Sequence, residues 1–138
     1  GQFDVEIPKL LDNIKNSYLY IQGPPGTGKT QQATTAIVHL LSQNKKIAVT
    51  GLSHKVIHNL LGRVDKKAIE NNCSFKGYKK GDLEDEDTIY NSKHIETTSN
   101  EKYFIDGLNS DNTLIYAGTK YHFSSGYFDS NLDFLWRS

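Results

Sequence analysis

The stretch LYIQGPPGTGKTQQ, from Leu19 to Gln32, constrains this 138-residue chain more than any other. Residues Ser17 to Gln22 read as a short apolar, aromatic strand that stops at a glycine turn, and a helical period begins just beyond it. Between the two, Gly23 to Thr30 fits G-x-x-x-x-G-K-[ST] in the strand–loop–helix setting that pattern needs. Gly26 and Gly28 let the loop curl with φ > 0, so that successive N–H groups point inward as an anion nest. The following helix adds the positive end of its dipole. Lys29 reaches the β and γ phosphates of a nucleoside triphosphate, and the Thr30 hydroxyl ligates Mg²⁺. Pro24 and Pro25 lack N–H donors and stiffen the loop entry. The expected nucleotide-cradling set is Gly23, Pro24, Pro25, Gly26, Thr27, Gly28, Lys29, Thr30 and Gln31.

The residues around this loop extend it into a fold. Ala33, Ala36, Ile37, Leu40 and Leu41 make one helical stripe, which Asn44 can end. KKIAVTG gives a second strand at Lys45 to Gly51, and Ser53 is placed to cap a second helix. That helix buries Val56, Ile57, Leu60, Leu61, Val64 and Ala68. Strand, helix, strand, helix with short turns predicts an α/β, doubly wound, mostly parallel sheet. Residues 72–112 are polar and mixed, with GDLEDEDT as an exposed loop, a weak strand near Phe75 to Tyr78 and a short helix near Tyr103 to Leu108. Order returns with a strand at Thr113 to Ala117 that ends in Gly118-Thr119, and with the apolar run Leu132 to Trp136.

Charge excludes little, because 16 basic residues balance 16 acidic ones. Positives gather from Lys45 to Lys80 and negatives from Asp82 to Glu101, a pattern that ordinary solvated surface produces as readily as a binding face. Cys73 is the only cysteine, so no internal disulfide forms; a reducing, cytoplasmic setting is expected. No apolar run approaches membrane-spanning length. The chain has no Met and begins at Gly1, which is read as processing or as a piece of something longer.

GPPGTGKT resembles the loops of two groups, AAA+ ATPases and superfamily 1 helicases, and the residues beyond the loop resemble the helicases. There, a Thr- and Ala-rich first helix, as in GTGKTQQATTAIVHLL, leads directly into the second strand. IAVTGLSHKVIHNLLGRV is similar to helicase motif Ia, and LIYAGTKYHFSS to the motif Ic strand, whose Gly-Thr tip points at nucleic acid. The branch that these segments resemble contains the nonsense-mediated-decay RNA helicase, with bacterial relatives fused to RecB-like nucleases. The resemblance covers roughly residues 17–71 and 113–135. It implies a RecA-like P-loop NTPase fold in one incomplete domain over residues 1–138, with a variable insertion at about 72–112. It further implies ATP with Mg²⁺, single-stranded DNA or RNA, and a second RecA-like domain of the same parent protein.

Residue chemistry points the same way. Thr50, Ser53, His54 and Lys55 lie where the second strand passes into its helix, and Gly118 and Thr119 end another strand. Ligands of open α/β sheets bind at this carboxyl edge, and a helix N-terminus bearing Ser and Lys contacts backbone phosphates without reading sequence. These six residues are the expected nucleic-acid contacts. Tyr121, His122 and Phe123 offer stacking surfaces, although such a cluster is more often core. For Ser53 the bland alternative is a simple helix cap; for His54 and His58 it is a surface histidine.

The sequence also departs from the resemblance. Glu6 stands where the family places an adenine-reading Gln. Adjacent acids occur only in LEDEDT, with no apolar strand before them to form a Walker B pair. Phe128-Asp129 or Leu132 to Leu135 begins such a strand, and Arg63 and Arg137, the only arginines, lie in no recognisable motif. Catalytic residues therefore stay unassigned, and binding with little turnover is expected of these residues alone. An AAA+-like or kinase-like P-loop ATPase, and a nucleotide-binding regulatory module that never hydrolyses, stay open beside the helicase.

Overall fold

A computed structural model describes residues 16–21, 28–100, 102, 114–119 and 133–137, with side chains for 30–100, 102 and 115–119. The strands are β1 (Asn16–Ile21), β2 (Lys46–Gly51), β3 (Lys76–Lys80), β4 (Ile95–Thr98), β5 (Leu114–Thr119) and β6 (Asp133–Arg137). Helices α1 (Gly28–Ser42) and α2 (His54–Glu70) follow β1 and β2, and a 3-10 turn spans Glu86–Thr88. The six strands form one sheet in the order β4-β3-β5-β2-β1-β6, and each neighbouring pair is parallel. The expected α/β class with a parallel sheet is thus present.

The first two helices follow their periodicity. Ala33, Ala36, Ile37, Leu40 and Leu41 on α1, and Ile57, Leu60, Leu61, Val64 and Ala68 on α2, are at most 1% exposed. All but Ala68 pack on Ile47, Val49, Ile115 and Ala117 of the sheet in one core. Val56 is only half-buried at its rim. The α1 helix stops because Asn44 adopts φ 61, a left-handed conformation that Asn tolerates. Ser53 caps α2: its backbone is extended, and its Oγ accepts from the Val56 N–H at 3.2 Å.

The polar segment after α2 contributes two strands to the sheet. β3 runs to Lys80 rather than Tyr78, because burial alternates along KGYKK with Gly77 and Lys79 inward. β4, four residues long, forms where the sequence carries no strand signal. Gly77 sits between its two neighbours so closely that an added Cβ would lie 2.7 Å from Ile115 Cγ2 and 2.7 Å from Ile95 Cγ1. Replacing Gly77 with Ala should therefore cost about 2 kcal/mol by overpacking, measurable as a lowered denaturant midpoint with an unchanged slope. The expected helix near Tyr103 to Leu108, Glu6, and Tyr121 to Phe123 lie outside the described residues. No described helix is long and apolar enough to cross a membrane.

Candidate nucleotide and nucleic-acid edge

Because the strands are parallel, their carboxyl ends share one edge. The register aligns Ile21 of β1 with Gly51 of β2, and Gly51 with Thr119 of β5. One row inward lie Tyr20, Thr50 and Gly118, with Arg137 of β6 paired to Tyr20 from the other side. The strand leading into the glycine loop, the strand leading to Ser53 and the strand bearing Gly118-Thr119 therefore end side by side. Gly23 to Thr27 fall outside the described residues. Gly28 opens α1, so the helix presents its N-terminal N–H groups to this edge. Thr30 is buried there, and its carbonyl accepts from Thr34 Oγ1 at 2.8 Å.

The six residues singled out for nucleic acid divide by exposure. Ser53 and Lys55 are exposed and His54 is partly so, whereas Thr50, Gly118 and Thr119 are buried. The Ser53 oxygen is occupied as a cap, yet a hydroxyl keeps its own proton to donate. Thr50 is 0% exposed, and its Oγ1 has no hydrogen-bond partner among the described residues. A buried hydroxyl without a partner at a sheet edge has lost water without compensation. Thr50 thus marks polar capacity directly beside the exit of β1.

Behind the edge lies a polar network that the sequence did not reveal. Lys79 of β3 is 0% exposed; its Nζ lies 2.8 Å from His54 Nδ1 and donates to the Thr88 carbonyl. An ammonium only donates, so Nδ1 accepts and the His54 ring carries its proton on Nε2. His58, read from sequence as a surface histidine, is half-buried one turn further along α2, 6.1 Å from the His54 ring. Burial first, then the charge of Lys79, push its pKa down to about 4. Deeper in the helix, Asp65 accepts from the Tyr90 hydroxyl and pairs with His94 Nδ1 at 3.1 Å. Burial, reinforced by Asp65, holds the Tyr90 phenol well above its ordinary pKa. The one available signal was alternation in KGYKK, which puts Lys79 on the same face as Gly77.

Lys79 makes stability depend on pH. Burial lowers its pKa from 10.5 to about 8. Between those values the unfolded chain binds more protons than the folded one, so stability rises with pH through that window. The expected gain from pH 8 to pH 10 is about 2 kcal/mol, read by urea unfolding, and Lys79→Met should abolish it. Tyr90 works in the opposite sense, but only from about pH 10 upward.

Comparison with known proteins places this edge in context. A family model described as an AAA domain matches residues 8–103. The chain is 41% identical over 49 residues to the DNA polymerase alpha-associated DNA helicase A of Schizosaccharomyces pombe. That stretch is 36% of this chain and 7% of the helicase, so the chain matches only a small part of that relative. No solved structure matches.

Proposed function

The chain belongs to the AAA domain family, and from that premise we propose that it is the nucleotide-holding part of a superfamily 1 helicase motor. The branch proposed is the one that includes the nonsense-mediated-decay RNA helicase. In the parent protein, ATP hydrolysis would drive movement along single-stranded DNA or RNA, with a second RecA-like domain closing over the edge. The observation that carries this reading is the single row formed by the ends of β1, β2 and β5. It brings the end of β1, the end of β2 that leads to Ser53-His54-Lys55, and the Gly118-Thr119 tip beside one another.

Bound MgATP would supply the phosphoryl group and a divalent cation to offset its charge. The residues here fit it: a helix opens at Gly28, and Thr50 leaves an unpaired buried hydroxyl beside the exit of β1. Gly26 and Gly28 would lend backbone N–H groups to the phosphates, Lys29 would neutralise phosphate charge, and Thr30 would hold Mg²⁺. Across the row, Ser53 and Lys55 grip backbone phosphates of the strand, and His54 donates from Nε2. The S. pombe relative is named a DNA helicase, so single-stranded DNA is the first strand to test.

Calorimetry tests the nucleotide half. Lys29→Ala removes the cation facing the phosphates and should weaken MgATP binding by about tenfold or more. Equal affinity for the two proteins would sink the assignment. Strand binding should be weak, indifferent to sequence and lost as salt rises.

A further inference from the structure

A groove of about 540 Å³ runs between α1 and α2. Gln31, Thr34 and Thr35 line it from α1, and Arg63, Lys66 and Lys67 from α2. Among the described residues, Glu70 is the only carboxylate on its wall. None of these four charged side chains makes an ion pair among the described residues, although Glu70 lies one turn from both Lys66 and Lys67. Three cations therefore converge on a groove without a counter-charge that holds any of them. The threonine protons are already committed, Thr34 to the Thr30 carbonyl at 2.8 Å and Thr35 to the Gln31 carbonyl at 3.1 Å. What the groove offers a ligand is positive charge and the Gln31 amide, which suits an anion.

We propose that this groove is a second binding surface for the phosphate backbone of a nucleic-acid strand, continuous with the carboxyl edge. The extent of the charge favours a chain of phosphates over a single one. Lys55, Arg63, Lys66 and Lys67 lie on one side of α2, and at 1.5 Å per residue the span from Lys55 to Lys67 is about 18 Å. That track leads from the edge into the groove. Its chemistry disfavours a protein partner, because among the described residues no aromatic or aliphatic side chain lines the groove to serve as an anchor. Contacts of this kind position a strand and read no bases.

The test is fluorescence anisotropy over a salt series, with a short oligothymidylate that reaches only the edge and a longer one that reaches both. The double variant Arg63→Glu, Lys66→Glu should bind the long strand about tenfold more weakly at low salt. Its log–log salt slope should be shallower by about 1.4, two contacts at about 0.7 each. Short-strand and MgATP affinities should hold, because neither residue belongs to the edge or the loop. Arg63→Gln, Lys66→Gln should fall between wild type and the reversed pair, which preserves the test if charge reversal unfolds the chain. Unchanged affinity and slope overturn the proposal, as does equal displacement of the long strand by a polyglutamate of matched charge. Lys55→Glu separates this inference from the edge reading. Loss with Lys55→Glu alone leaves the edge and removes the groove, whereas loss with the groove pair alone does the reverse.

Discussion

Residues 1–138 alone are expected to hydrolyse MgATP at least about a thousandfold more slowly than the same residues joined to an acid-bearing strand and a second RecA-like domain. A glycine loop, a lysine and a helix N-terminus bind the phosphates of ground state and transition state alike, and such uniform binding does not speed the chemical step. Speed comes from groups that place the attacking water and meet the charge that develops late. An arginine finger alone contributes roughly 10³–10⁵. β6 pairs with β1 so that Arg137 faces Tyr20, one residue short of the end of β1. β6 therefore ends beside the exit of β1. Phosphate-release assays on both proteins, with and without single strands, settle the matter. Brisk turnover by the short protein that needs both Mg²⁺ and Lys29 would contradict the expectation, and Asp129 and Asp133 would then be the first candidates for the missing acid.

Asp65→Ala should destabilise the fold by about 3 kcal/mol, a large share of the 5–15 kcal/mol typical of a domain. Asp65 sits on the buried face of α2 at 8% exposure. It accepts from the Tyr90 hydroxyl and from His94 Nδ1, both on the segment that returns from β3 to β4. The substitution takes the acceptor from the buried His94 ring and from the part-buried Tyr90 hydroxyl together, and a buried polar group costs about 1–3 kcal/mol unpaired. His94 also stacks on Phe75 with ring centroids 4.4 Å apart, so loosening it disturbs the approach to β3. Asp65→Asn keeps one acceptor oxygen and should cost less. Urea unfolding of the three proteins reads the difference, and a loss below about 1 kcal/mol for the alanine would mean that the network is solvated.

The first half of the fold was legible because each element carries its own signal. Ala33 to Leu41 and Ile57 to Ala68 recur at helical spacing, Ser53 announces a cap, and the glycine loop fixes the strand and helix on either side of it. β3 carries only the weak signal that predicts a strand near Phe75 to Tyr78, and β4 carries none. Lys79 looks like one more solvated lysine in KGYKK until β4 and β5 flank the strand and α2 supplies His54. IETT is too short and mixed to announce itself. Likewise Asp65 reads as a surface charge, and only the distant Tyr90 and His94 make it an interior one. These residues take their roles from partners 25 and 29 positions away, which local periodicity does not register.

The place of β5 in the sheet has a consequence for how the chain matures during synthesis. Residues 114–119 fill the slot between β2 and β3, both of which are made earlier. Until that segment leaves the ribosome, β2 and β3 have no strand to join them, and each presents an open edge on which another chain could template. Closing the slot brings together segments dozens of residues apart, the kind of pairing that slows folding. The nascent protein is thus most vulnerable to misassembly just before its second glycine-tipped strand arrives, and holdase chaperones would act in that interval.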